Sequence, residues 1–200
     1  SEMCIRDRDG QAIFSMSASF QTLDTGIEHQ DLMPPVPAPE DLPDVQDAEG
    51  SFSHDLFRQF AEWDIRIVPD ELMDRNPRLA AQQRVWFRCR KQLPDDPVLH
   101  ICALAYMSDL TLLSSSKVPH RDAVLQTASL DHALWFLRPF RADEWLLYDE
   151  TSPSAGYGRA LTQGRIFDRE GRMVAAVVQE GLTRYERNPD EASIAKGNMA

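Results

Sequence analysis

The feature that most constrains the fold is an apolar stretch at residues 98–113, which contains one acidic residue and no lysine or arginine. It follows Asp96 and Pro97, an N-cap residue and a proline suited to the first position of a helix. Because the stretch is apolar nearly all round, it predicts a helix that is buried on most of its sides. The rest of the chain must supply the apolar surface that surrounds it.

Strand-like segments flank this apolar stretch on both sides. Residues 64–68 and 84–90 precede it, and in 84–90 apolar side chains alternate with arginines, which predicts a half-buried strand. The segments of strand character that follow it cover residues 127–136, 144–150, 159–168 and 172–179, with a hairpin-turn signal at Glu170-Gly171. This order predicts an α+β protein in which an antiparallel sheet wraps around a central helix.

The N-terminal residues predict a strand preceded by foreign sequence. Residues 3–8 resemble the translation of a sequencing-library adapter, so we expect residues 1–8 to lie outside the natural protein and Cys4 to have no role. Residues 11–21 then predict a strand, introduced by the turn-forming pair Asp9-Gly10.

This turn and strand resemble a later part of the chain. Residues 8–16 match residues 169–177 in pattern, with Gly10 aligned to Gly171. A repeat of this kind suggests that residues 9–30 are the end of an earlier copy of the fold formed by the second half of the chain.

The segments around the main domain differ from it in composition. Residues 31–62 begin with a run rich in proline and acidic residues, which predicts an extended linker that cannot pack a core. Within them, residues 51–63 place aromatic and leucine side chains at helical spacing and predict a short amphipathic helix. We assign residues 63–187 to one domain and the polar residues 188–200 to a disordered tail.

The charge of the chain excludes some classes of function. Of its 200 residues, 32 are acidic and 21 are Lys or Arg, so the net charge is -11. A chain this acidic is a poor candidate for binding nucleic acid or an anionic membrane surface. No apolar run is expected to reach the ~18 residues of a transmembrane helix.

The spacing of cysteine and histidine gives no sign of a disulfide framework or a metal site. The three cysteines show no CxxC pair, and Cys89 and Cys102 lie in apolar stretches where we expect small buried residues. The histidines show no HxxxH or HExxH spacing, and no glycine-rich phosphate loop is present. We therefore expect no metal or cofactor, and a reducing cytoplasmic location.

Residues 145–184 read WLLYDETSPSAGYGRALTQGRIFDREGRMVAAVVQEGLTR. This segment resembles the C-terminal half of the acyl-CoA thioesterase II family. The segments SLDHALWFLRPF at 129–140 and LAYMSDLTLL at 104–113 resemble the same family, and IFSMSASFQ near the start resembles the end of its first domain. The resemblance covers nearly all of residues 9–187.

The resemblance implies a double-hotdog fold, of which this N-terminally truncated chain keeps the catalytic second hotdog and a remnant of the first. It also implies hydrolysis of medium to long fatty acyl-CoA to free acid and CoA. The implied site is Asp109, Ser129 and Gln179, which together bind the attacking water. Where the family has WFHRPF, this chain has Leu137 instead of histidine, which affects local packing or substrate contacts more than chemistry.

The same residues can be assessed without the resemblance. Asp109 follows an uncharged helical stretch, where the negative end of the helix dipole favours proton uptake, as a general base requires. Ser129 could hold a water, and Gln179 could orient it or donate to an oxyanion. Each also has an ordinary structural interpretation, as a solvated helix end, a strand serine and a strand-end glutamine. His132 is interpreted as structural, and Glu180 is expected to face away from Gln179.

Two other functions stay open. A truncated hotdog could bind acyl-CoA without turning it over, and a hotdog dehydratase would need a catalytic histidine with an acidic partner, which the sequence does not indicate near Asp109. For the CoA phosphates, Arg138, Arg159 and Arg165 are candidates or solvated strand arginines. The expected partners are acyl-CoA and a second copy of the chain, in a homo-oligomer that could replace the missing half, with no nucleic acid and no membrane.

Overall fold

An antiparallel sheet curls around a single α-helix in the computed structural model, which describes residues 2–22, 24–47 and 59–186. Within the described residues the sheet has seven strands, β3 (Trp63–Ile67), β4 (Gln82–Cys89), β5 (Leu125–Ser129), β6 (Ala133–Phe136), β7 (Leu146–Gly156), β8 (Arg159–Asp168) and β9 (Met173–Tyr185). They pair in the order β3-β4-β7-β8-β9-β5, and β6 also pairs with β9. The predicted fold class is confirmed.

Helix α1 (Pro97–Ser108) starts where the sequence predicts. The side chain of Asp96 accepts a hydrogen bond from the backbone N–H of Val98, so it satisfies one of the free amides of the first turn. The helix ends at Ser108 with Asp109 as its C-cap residue, and a 3₁₀ segment (Leu112–His120) continues the chain along the sheet.

One stripe of α1 packs into the concave face of the sheet, where Leu104 and Met107 join the main apolar core together with Leu112 of the 3₁₀ segment. The prediction that the helix is buried on most sides is wrong, because Val98 and Tyr106 are 62% and 58% exposed. Cys102 is exposed and Cys89 only partly buried, so the expectation for the two cysteines is also wrong. A sheet contacts one side of a helix, and the described chain places no second layer against the other side of α1.

The stretch Pro97–His120 is long and apolar enough to cross a membrane, contrary to the expectation that no such run exists. Its α-helical part ends at Ser108, and the buried side chains of the stretch pack against the sheet. The core helix of a soluble protein meets the same criterion of length and composition, so the finding is weak evidence for a membrane span.

The proline-rich segment lies across the convex face of the sheet. Leu42 is buried beside Trp86, Leu147 and Phe167, and the indole N–H of Trp86 donates to the carbonyl of Pro37 at 3.0 Å. The prediction that this segment packs no core is therefore wrong. Extended chain can lie flat on a sheet when its few apolar side chains point inward, and strand β4 is consequently buried on both faces instead of one.

Several strand boundaries differ from the predicted ones, and three of the differences follow from contacts with other segments. Strand β9 continues to Tyr185, although its last residues are polar, because β5 pairs with Gly181–Tyr185. Strand β7 likewise extends to Gly156 because it pairs with β8. The predicted strand at 127–136 is two strands, separated where the carboxylate of Asp131 accepts the backbone N–H of Glu180.

An exposed hairpin forms at the N-terminus from β1 (Glu2–Arg6) and β2 (Ala12–Ser17). Residues assigned to a foreign adapter therefore take strand conformation, which the sequence did not predict. Most of the amphipathic helix predicted at 51–63 lies outside the described residues, and its described end is not helical, because residues 59–62 form a turn and Trp63 begins β3. The predicted tail, residues 188–200, also lies outside the described residues. The assignment of residues 9–30 to a first domain stays a prediction.

Candidate active site

Three polar side chains from separate elements meet at the C-terminal end of α1. Asp109 is the C-cap residue of α1, Ser129 is the last residue of β5 and Gln179 lies in the middle of β9. The hydroxyl of Ser129 donates to Oδ1 of Asp109 at 3.0 Å, and Nε2 of Gln179 donates to Oγ of Ser129 at 2.8 Å. Nε2 of Gln179 also donates to Oδ1 of Asp109. The structure thus brings all three sequence-predicted residues together, while their catalytic role stays a prediction.

The hydrogen bonds leave one oxygen of the carboxylate available. Both neutral donors converge on Oδ1 of Asp109, so among the described residues Oδ2 is the oxygen left to accept a proton from a water. The side chain of Asp109 is half exposed, whereas Gln179 is fully buried. A small molecule can therefore reach the carboxylate from solvent while the amide behind it is fixed by packing.

Two close approaches hold the elements in place. A Cβ atom at Gly181 would lie 2.4 Å from the side chain of Leu113, so a larger residue there would have to displace that leucine from β9. A Cβ atom at Gly164 would lie 2.1 Å from the ring of Tyr148. The hydroxyl of Tyr148 donates to the carbonyl of Ser108 at 3.0 Å, which satisfies a free carbonyl at the helix end beside Asp109. Burial raises the pKa of this hydroxyl well above its usual value.

A histidine lies beside Asp109, which the sequence analysis did not predict. Nδ1 of His132 is 3.8 Å from Oδ1 of Asp109, and Nε2 is 2.8 Å from Oγ of Ser108. Burial lowers the pKa of the His132 ring, against the opposing effects of Asp109 and Asp131. The argument that no histidine lies near Asp109 is therefore wrong. The only sequence signal was its place in the loop after Ser129.

A buried acid supports the other side of the helix end. Glu150 on β7 is fully buried, and it accepts hydrogen bonds from the hydroxyl of Thr111 and from Nε2 of Gln83 at 2.8 Å. Burial raises the pKa of Glu150 to about 8. The sequence analysis missed this residue, because a charged residue ending an apolar strand looks like an exposed strand end.

The three candidate arginines have other partners. Arg165 pairs with Asp149 at 2.5 Å and with Asp31 on the convex face of the sheet. Arg138 donates to the carbonyl of Met173, and Arg159 pairs with Glu180 at 3.1 Å. None of these contacts directs an arginine to Asp109, so their assignment to the CoA phosphates stays a prediction.

The curled sheet, its single helix and the polar cluster at the helix end define a hotdog protein. A solved protein with a hotdog fold from Alicyclobacillus acidocaldarius has a TM-score of 0.68 with this chain at 17% identity, which supports the fold alone. The family model for acyl-CoA thioesterase matches residues 54–182. The chain belongs to the acyl-CoA thioesterase family, as its sequence motifs predict.

Individual relatives agree with this family. Acyl-coenzyme A thioesterase 8 of Mus musculus is 36% identical over 202 residues, covering 92% of this chain and 63% of the mouse protein. Acyl-CoA thioesterase 2 of Haemophilus influenzae is 34% identical, with 92% of this chain and 69% of the relative covered. The crystal structure of an acyl-CoA thioesterase II, TesB2, from Mycobacterium marinum is 57% identical with a TM-score of 0.80, covering 92% and 73%. The chain thus spans about two thirds of the length of the curated relatives that it matches.

Proposed function

We propose that the chain carries the site for hydrolysis of fatty acyl-CoA thioesters to free fatty acid and CoA. The observation that carries the proposal is the convergence of Asp109, Ser129 and Gln179 at the end of α1, in a chain of the acyl-CoA thioesterase family. Thioester hydrolysis needs a base, a positioned water and a donor for the developing oxyanion. The carboxylate of Asp109 can serve as the base and the hydroxyl of Ser129 can hold the water, while both N–H groups of the Gln179 amide are bonded within the cluster.

In the proposed reaction, Oδ2 of Asp109 accepts a proton from a water that Ser129 helps to hold. The water oxygen bonds to the carbonyl carbon of the thioester, and the carbon–sulfur bond then breaks with its electron pair on sulfur. The proton passes to the CoA thiolate, so the products are the acid and the thiol. Gln179 fixes Ser129 and Asp109 through the two hydrogen bonds of its amide. Neither a covalent intermediate nor a cofactor is required.

The assembly and location belong to the same proposal. We expect two copies to associate through the apolar side chains that α1 and β6 expose, including Val98, Tyr106 and Trp135. We also expect a cytoplasmic protein that binds neither nucleic acid nor membrane, in line with the net charge of -11. Light scattering after size exclusion should give the mass of a dimer for the chain. Val98→Asp puts a charge into the proposed apolar interface and should shift the mass toward that of the monomer. The substitution should not destabilise α1, because a negative charge is favourable in the first turn of a helix.

The second candidate function is acyl-CoA binding without turnover. It is supported by the exposed apolar side of α1, since a cleft that needs another layer there would be incomplete in this chain. Release of free thiol from acyl-CoAs of increasing chain length, together with calorimetric binding of the same compounds, separates the two candidates. Hydrolysis by the chain supports the enzyme, and tight binding without thiol release supports the binding module.

A further inference from the structure

The hydroxyl of Ser108 fixes which nitrogen of His132 carries the proton. Oγ of Ser108 donates to the carbonyl of Ala105 at 2.9 Å, one turn back in α1. A hydroxyl has one proton, so with that proton on the Ala105 carbonyl the 2.8 Å contact between Oγ of Ser108 and Nε2 of His132 is a bond that Nε2–H donates. The neutral ring therefore holds its proton on Nε2 and has a free lone pair on Nδ1.

That lone pair faces the carboxylate of the site. Nδ1 of His132 lies 3.8 Å from Oδ1 of Asp109, so two acceptors face each other until a proton is placed between them. Oε1 of Gln179 is buried and accepts no hydrogen bond from the described residues, and the Gln179 side chain stabilises the protonated ring. A proton arriving at Nδ1 would thus face the carboxylate of Asp109, and the Gln179 side chain would stabilise the charged ring.

The charged groups around the His132 ring and its burial have opposite effects on the pKa of the ring. Asp109 at the end of α1 and Asp131 on the ring's own loop favour the protonated ring, the Gln179 side chain on β9 is neutral, and Ser108 accepts from Nε2. Burial is the largest influence and lowers the pKa of His132 from its ordinary value. The ring is consequently neutral at neutral pH, yet close to groups that stabilise a proton once it arrives.

We propose that His132 is a positioning residue that holds the proton which Asp109 takes from the attacking water. This inference rests on the proposed thioester hydrolysis and adds one residue to it. The proton moves from water to Oδ2 of Asp109, the carboxyl group then turns so that its protonated oxygen faces the ring, and the proton passes to Nδ1 of His132. This transfer restores the carboxylate while the tetrahedral intermediate exists. When the carbon–sulfur bond breaks, the proton returns through Asp109 to the CoA thiolate, so no proton is gained or lost by the protein. The separation of 3.8 Å is longer than a hydrogen bond and has to shorten for this transfer, as catalytic hydrogen bonds commonly do when substrate binds.

The test compares His132→Gln with the native chain. The amide of glutamine can still donate to Ser108, but it has no group that accepts a proton near neutral pH. We expect the kcat of the variant to fall about tenfold or more with KM within about twofold. In the native chain kcat should fall on the acid side of neutrality as the ring protonates, and this fall should be absent in the variant. Unchanged kcat, or a reduced kcat with the same acid limb, overturns the proposal.

A second measurement does not depend on turnover. Long-range proton–nitrogen NMR of the native chain should show a neutral His132 ring protonated on Nε2, and Asp109→Asn should lower the pKa of the ring because a stabilising charge is removed. A ring protonated on Nδ1, or a ring whose titration ignores Asp109→Asn, contradicts the proposal. His120→Gln, at an exposed histidine on the 3₁₀ segment, is the matched control and should change neither measurement. Failure of the native chain to hydrolyse acyl-CoA would overturn the proposed function, while the NMR result would still decide the role of the ring.

Discussion

The β1–β2 and β8–β9 hairpins have turns of the same kind, but their surroundings in the molecule differ. Asp7 and Asp168 each accept two backbone N–H groups through Oδ1, at distances between 2.8 and 3.1 Å. The glycines of the turns, Gly10 and Gly171, have φ values of 79° and 81°, in the left-handed region that favours glycine. The predicted likeness of the two segments is confirmed at this level. The β8–β9 hairpin lies in the core, whereas every residue of β2 is exposed.

The comparison teaches that the turn is determined locally and the burial is not. An aspartate, a charged pair and a glycine specify the same hydrogen bonds in both places, because those bonds involve only neighbouring residues. A two-stranded hairpin buries little by itself and needs further strands or a helix against it. Among the described residues, only the β8–β9 hairpin has such neighbours. The strand that follows its turn also carries a site residue, Gln179, whereas the equivalent position after the first turn is Ala18.

The largest effect on kcat is expected at Asp109, where the end of α1 meets strand β9 of the second hairpin. Asp109→Asn removes the proposed base and should lower kcat for acyl-CoA hydrolysis by about 100-fold or more, the usual contribution of a general base. A steady-state thiol-release assay measures it. Asp122→Asn, at an exposed aspartate beyond the 3₁₀ segment, is the control and should retain native activity. Native turnover by Asp109→Asn would remove the carboxylate from the mechanism.

Gln179→Ala makes the second hairpin like the first at the equivalent position. It removes the amide that holds Ser129 and Asp109, and it should lower kcat about tenfold or more because the water is less well positioned. Glu180→Gln alters the neighbouring residue, which pairs with Arg159 instead, and should leave kcat within about twofold. Equal rates for Gln179→Ala and the native chain would show that the amide is structural only.

The buried acid beside the second hairpin should make its domain sensitive to pH. The folded pKa of Glu150 is raised to about 8, above the value of 4.5 expected when the chain unfolds. A raised folded pKa contributes stability that is complete below pH 4.5 and is lost as the pH rises toward 8. Glu150→Gln stays neutral, so its urea midpoint should fall less than that of the native chain between pH 5 and 8. Parallel pH dependences of the two midpoints would contradict this assignment.

The smallest effect is expected on the unfolding free energy, when the same glycine substitution is made in each of the two turns. Gly171→Ala places a side chain at positive φ inside the domain and should lower its unfolding free energy by about 1 kcal/mol. Gly10→Ala imposes the same strain on the exposed hairpin and should leave the main unfolding transition unchanged. Urea melts followed by tryptophan fluorescence measure both variants. Equal destabilisation by the two substitutions would mean that the N-terminal hairpin is part of the cooperative unit.

The sequence predicts those parts of the molecule that depend on neighbouring residues. The start of α1 at Asp96 and Pro97, the turn at Gly171 and the bounds of β8 all follow from local chemistry. The meeting of Asp109, Ser129 and Gln179 was predicted from the family resemblance, since no local pattern brings residues from three elements together.

The missed features depend on contacts between distant segments. The burial of Leu42 depends on the convex face of the sheet, and the length of β9 depends on its pairing with β5. The contact between His132 and Asp109 depends on how a loop returns to the helix end. Periodicity cannot indicate any of these contacts, because it describes each segment alone.

The central claim is that Asp109 and Ser129 hold one water beside the thioester carbonyl. Crystals grown with a non-hydrolysable acyl-CoA thioether test it most directly. The account predicts a water about 3 Å from the carboxylate of Asp109 and from Oγ of Ser129, and about 3–3.5 Å from the atom that replaces the reacting carbon. Electron density that places this atom away from the helix end, with no water between it and Asp109, would contradict the claim.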